Sequence, residues 1–105
     1  MTVPEIDVEE LARARDAGAV LVDVREPNEY EQAHVAGAVL IPMVDVPERI
    51  EEIPDDQPVY VICATGARSG RAVDWLTRQG YDAFNVAGGI KRWMEAGHPV
   101  EHGPA

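Results

Sequence analysis

Four short apolar runs, continuous rather than alternating, constrain the fold of this chain more than any other feature. They are Val20-Leu21-Val22-Asp23-Val24, Ala38-Val39-Leu40-Ile41, Val59-Tyr60-Val61-Ile62 and Phe84-Asn85-Val86. A strand with one wet face alternates apolar and polar residues, whereas a strand covered on both faces reads as an unbroken β-branched run. A fifth, shorter strand is expected around Val3 to Ile6. Helical stretches fall between these runs. Asp7-Val8-Glu9-Glu10 has capping-box spacing and leads into Leu11 to Arg15, stopped by Gly18. Pro27 suits the first turn of a second helix, and Pro47 the first turn of another over Glu48 to Ile53. Ser69 to Gln79 places Ala72, Val73, Trp75 and Leu76 at helical spacing before Gly80, and Ile90 to Ala96 makes a last short helix before Gly97. Strands alternating with helices call for parallel pairing through right-handed crossovers. The predicted class is α/β, three-layered, with a four- or five-stranded mainly parallel sheet flanked by helices on both faces.

The 105 residues suffice for one compact domain and are too few for two. A single domain is therefore expected over residues 1–105, with its core at about 3–100 and a loose tail at 101–105. The single cysteine excludes an internal disulfide, a zinc site built from several cysteines and a dithiol redox motif. No stretch approaches the roughly 20 apolar residues of a membrane span. The N-terminus lacks both the basic start and the apolar run of a signal peptide, so a cytoplasmic location is expected. A net charge of −10 disfavours nucleic acid and anionic membranes as partners. That charge is uneven: residues 1–60 hold fifteen acidic and four basic side chains, residues 61–105 four acidic and five basic. Anion chemistry is expected in the second part; the acidic part reads first as a solvated, soluble face.

One segment combines features that chemistry needs. Val59 to Ile62 ends directly in Cys63, and Ala64, Thr65, Gly66 and Ala67 precede Arg68 and Ser69. Ligands of open α/β sheets bind at the carboxyl ends of strands. A loop of small residues can turn its N–H groups inward as an anion nest, and the following helix adds the positive end of its dipole. A thiol held there has its pKa lowered. Arg68 offers a planar, permanently charged fork, and the Thr65 and Ser69 hydroxyls offer further donors. An isolated cysteine at a strand end is more often a buried core residue; this neighbourhood points instead to a nucleophile.

Cys63-x-x-Gly66-x-Arg68-Ser69 after a hydrophobic strand resembles the active-site loop of rhodanese-like sulfurtransferases. Three further segments, in order, are similar to the same family: Leu21 to Glu26 with Glu29-Tyr30; His34 to Ala38 with Ile41-Pro42; and Val86 to Ile90 with Trp93, then Gly97 to Val100. The resemblance covers residues 3–100. Ala33 and Ala36 depart from the family's usual glycine and proline, away from the loop. Four residues separate Cys63 from Arg68, one fewer than in the tyrosine phosphatase cradle; the tighter ring resembles the rhodanese form, which implies a single outer sulfur as the bound group rather than a phosphate.

The resemblance implies a ping-pong transfer in which Cys63 takes a sulfane sulfur from a donor such as thiosulfate and carries it as a persulfide. Residues 64–69 would bind the donor and the persulfide, with Arg68 steering a small anion; the acceptor would be cyanide, a thiol or a protein. No metal or organic cofactor is implied, and a monomer or weak homodimer is expected. A persulfide relay between proteins, or a regulatory module without turnover, are the competing functions. Asp23, Arg25 and His34 are assigned structural roles, with Arg25 a candidate partner of Glu29. Arg71 is either an assistant to Arg68 or a partner of Asp74. Gly88-Gly89 is a turn, and Trp75 and Trp93 belong to the core.

Overall fold

In the computed structural model, which describes residues 2–104, the apolar runs become one five-stranded sheet, every strand parallel to its neighbour. The strands are β1 (Glu5–Ile6), β2 (Val20–Asp23), β3 (Val39–Leu40), β4 (Val59–Ile62) and β5 (Ala83–Val86), in the spatial order β1-β5-β4-β2-β3. β4 is central. Its residues Val59 to Ile62 pair in register with Val20 to Asp23 of β2 on one side, and Val59 to Val61 pair with Ala83 to Asn85 of β5 on the other. The helices are α1 (Val8–Asp16), α2 (Pro27–Gln32), α3 (Ala67–Arg78) and α4 (Gly89–Glu95).

The side-chain period of two sends alternate strand residues to opposite faces, and each face has its own cover. Val22, Val24, Val59 and Val61 pack with Val73 and Leu76 of α3, joined by Ile41, Val46 and Ile53. Leu21, Ile62 and Val86 pack on the other face with Val8 and Leu11 of α1, Tyr30 of α2, and Ile90 and Trp93 of α4. The three layers expected from the sequence are present.

Local signals account for most boundaries. Asp7 accepts from the Glu10 amide at 2.8 Å while the Glu10 carboxylate accepts from the Asp7 amide, the reciprocal box that opens α1. Pro27 stands in the first turn of α2. Three expectations need correction. Residues 48–53 do not form an α-helix; the segment between Pro42 and Pro54 holds two 3₁₀ turns, Met43–Asp45 and Ile50–Glu52. Prolines this close leave too few residues to repay helix nucleation. The run Ala38 to Ile41 contributes only Val39 and Leu40 to the sheet. β3 is an edge strand; Ala38 and Ile41 are buried at its two ends, where the Ile41 amide still donates to the Asp23 carbonyl of β2 at 2.9 Å.

The tail is the third correction. Glu101 and His34 exchange backbone hydrogen bonds of 2.8 and 2.9 Å, and the Gly103 amide donates to the Glu31 carbonyl. The His102 ring lies 2.5 Å from the Gln32 carbonyl. Residues 101–103 are thus fastened to the end of α2. Among the described residues, no helix is long and apolar enough to cross a membrane.

Candidate active site at the end of the central strand

Cys63 is buried at the carboxyl end of β4, and its sulfur is held from one side. The Gly66 amide donates to Sγ at 3.1 Å, and the Ser69 Oγ lies 3.2 Å from it. Helix α3 starts at Ala67, two residues earlier than its sequence pattern predicts, so Arg68 and Ser69 occupy its first turn. Ser69, the third residue of the helix, thereby turns back over the sulfur. Gly66 caps the helix at φ +103°, a left-handed conformation that side chains rarely adopt.

Opposing effects act on the thiol. Burial alone raises its pKa, but the Ser69 hydroxyl and the amides of Ser69, Gly66 and Thr65 favour the thiolate and together outweigh it. The net shift is downward, as a nucleophile requires.

The loop is shaped by α4, an element the sequence reading treated only as packing. The Ile90 amide donates to the Cys63 carbonyl at 2.9 Å and the Lys91 amide to the Ala64 carbonyl at 3.1 Å. These are donors that the first turn of a helix leaves without internal partners. In a trans peptide C=O and N–H point opposite ways. Turning the carbonyls of Cys63 and Ala64 towards α4 therefore turns the amides of Ala64 and Thr65 away from it. This approach explains Gly89. A Cβ on Gly89 would lie 2.4 Å from the Cys63 carbonyl oxygen and 2.6 Å from the Ala64 carbonyl carbon.

Asn85 of β5 is a site residue that the sequence reading missed, because it looks like one polar residue in an apolar strand. It is buried beneath the loop. Its Oδ1 lies 2.5 Å from the Ser69 Oγ, and its Nδ2 donates to the Gly66 carbonyl and to Glu5, each at 3.1 Å. Ser69 has one hydroxyl proton and two acceptors facing it, Asn85 Oδ1 and Cys63 Sγ.

The residues assigned from sequence divide. Cys63, Gly66 and Ser69 meet at the sulfur. Ala64 is half-buried and contributes backbone, while Thr65 and Ala67 are exposed, and the Thr65 hydroxyl makes no hydrogen bond to the sulfur. Arg68, assigned to steer a small anion, is held by α2. Its two terminal nitrogens each donate to a Glu29 carboxylate oxygen at 2.8 Å. That bond holds the Glu29 carboxyl at a pKa of about 2 and raises the pKa of Arg68 further.

Arg25 is accordingly not the partner of Glu29. It forms a buried fork on Asp23 at 2.8–3.2 Å and donates to the Ala33 carbonyl. Asp74 pairs with Arg78, not Arg71. His34 is buried, stacked on Tyr30 at 3.7 Å, with Nδ1 2.7 Å from the Tyr30 carbonyl. Trp93 is buried in the core on the α1 and α4 face of the sheet, and Trp75 packs half-buried against the core on the α3 face. Among the described residues no group of three or more His, Cys, Asp or Glu could hold a metal ion.

A buried thiol at a strand end, bonded by the Gly66 amide and backed by a helix start, has relatives. Residues 7–96 match the sequence model of the rhodanese-like domain. The chain belongs to the rhodanese-like family. A protein named sulfurtransferase from Allochromatium vinosum is 41% identical over 101 residues, covering 93% of this chain and 94% of that one. Thiosulfate sulfurtransferase PspE of Escherichia coli is 44% identical over 72 residues, covering 67% and 69%. The crystal structure of a rhodanese-related protein from Thermoplasma volcanium superposes with a TM-score of 0.88 at 35% identity, covering 93% of this chain and 97% of that one. The rhodanese-like α/β architecture expected from the loop and its flanking segments is therefore the observed one.

Proposed function

We propose that this rhodanese-like chain is a sulfurtransferase in which Cys63 carries sulfur as a persulfide. In the first half-reaction the Cys63 thiolate attacks the outer sulfur of thiosulfate. The S–S bond to the Cys63 sulfur forms as the bond to sulfite breaks: Cys63–S⁻ + S₂O₃²⁻ → Cys63–S–S⁻ + SO₃²⁻. The bonding pair leaves with sulfite, so no proton needs to move and no general base is required. In the second, a thiophile removes the outer sulfur; with cyanide, Cys63–S–S⁻ + CN⁻ → Cys63–S⁻ + SCN⁻. The amides of residues 64–68 and the Ser69 hydroxyl hold the persulfide anion, and no metal or organic cofactor takes part.

The observation that carries this reading is the Cys63 sulfur bonded by the Gly66 amide and the Ser69 hydroxyl, with its pKa drawn down. The names of the Allochromatium and Escherichia relatives support it. The relay reading keeps a specific support of its own, because Arg68 is already paired with Glu29. We place this rhodanese-like domain in the cytoplasm.

Incubation with thiosulfate or a thiol persulfide, followed by intact mass measurement, tests the reading. One added sulfur atom, removable by cyanide, is expected on the wild-type chain and none on Cys63→Ser. Equal labelling of Cys63→Ser, or no labelling of the wild type by either donor, refutes it.

A further inference from the structure

The fork of Arg68 is the cation that a dianionic donor would need, and Glu29 holds it with two bonds of 2.8 Å. The pair joins the first turn of α3 to α2, across 39 residues of sequence, with both side chains about one-third exposed. Arg25, the other arginine near Glu29, is equally committed, buried on Asp23. Arg71, one turn along α3, lines a cavity with Met43, Val46, Pro47 and Trp75 and does not reach Glu29. The loop therefore presents amides and a helix dipole to a donor but no uncommitted guanidinium fork beside Glu29, in a chain of net charge −10.

These groups suit one negative charge better than two. The ring of amides stabilises a single sulfur anion. Thiosulfate brings two charges and releases a dianion, and it must either displace Glu29 from Arg68, leaving that carboxylate uncompensated, or sit beside an already neutralised pair that offers it no free cation. A thiol persulfide brings one charge to the reacting centre: Cys63–S⁻ + R–S–S⁻ → Cys63–S–S⁻ + R–S⁻. Resting on the persulfide chemistry proposed above, we infer that Glu29 is a specificity-determining residue that occupies Arg68 and directs the site towards thiol persulfides rather than thiosulfate as donors.

Glu29→Gln tests this without removing the helix cap. The Glu29 carboxylate accepts from the Glu26 amide at 3.0 Å, and a glutamine carbonyl fills the same role. Second-order rates of Cys63 loading are measured by intact mass with thiosulfate and with cysteine persulfide, for the wild type, Glu29→Gln and Arg68→Ala. The wild type should load from cysteine persulfide at least about ten times faster than from thiosulfate, the weight of one charge-assisted contact. In Glu29→Gln the thiosulfate-to-persulfide rate ratio should rise about tenfold. In Arg68→Ala, where Glu29 is left uncompensated, it should fall. A ratio unchanged in Glu29→Gln, or a wild type that prefers thiosulfate, overturns the inference while leaving the persulfide chemistry standing. Failure of both donors to load the wild type overturns both.

Discussion

Replacing Ser69 by alanine separates the chemistry of the Cys63 loop from its folding. The Ser69 hydroxyl is 3.2 Å from Sγ, and it favours the thiolate. A hydrogen bond to a charged acceptor contributes about 1.5–3 kcal/mol. Ser69 divides one proton between the sulfur and Asn85, so the lower end of that range applies. At a pH below the thiol's pKa, about 1.4 kcal/mol lowers the thiolate population about tenfold. The same change strands the buried Asn85 Oδ1, which costs about 1–3 kcal/mol, or a fall in Tm of the order of 10 °C for a domain of this size.

The assay is alkylation of Cys63, the only thiol in the chain, by iodoacetamide across pH, read by intact mass. Ser69→Ala should show its inflection at higher pH and react about tenfold more slowly on the acid side. The two proteins should converge once both are fully thiolate. A variant that is merely loosened would differ from the wild type at every pH. Superimposed profiles would refute the role given to Ser69.

Two other substitutions follow from the same geometry. Gly89→Ala places a Cβ 2.4 Å from the Cys63 carbonyl oxygen at φ +60°; we expect a loss of more than about 2 kcal/mol in urea denaturation and slower Cys63 alkylation, since left-handed strain and the clash add. Wild-type values would show that α4 does not set the loop. Asp23→Asn leaves the buried Arg25 guanidinium without its counter-charge, which should cost about 3–5 kcal/mol in chemical denaturation. A loss below about 1 kcal/mol would contradict a structural role for the pair.

What the sequence by itself determined is local. The continuous runs around Val22, Val61 and Val86 required strands covered on two faces, and they became neighbouring strands of one parallel sheet. Asp7 with Glu10, and Pro27, placed helix starts by chemistry confined to three or four residues. Cys63 at the end of β4, followed by small residues, marked the loop for the same reason: strand, turn and helix start are contiguous in the chain.

Tertiary structure decided which side chains meet there, because parallel crossovers bring together residues that no sequence spacing relates. Asn85 arrives under Ser69 from the next strand, 16 residues away. Gly89 and Ile90 close on the backbone of Cys63 through the approach of α4. Glu101, expected in a loose tail, finds an edge partner in His34. Arg68 shows the difference most plainly. Its position beside the loop follows from the motif, but a guanidinium takes the best carboxylate within reach. Only the tertiary placement of α2 within reach of the start of α3 makes that carboxylate Glu29.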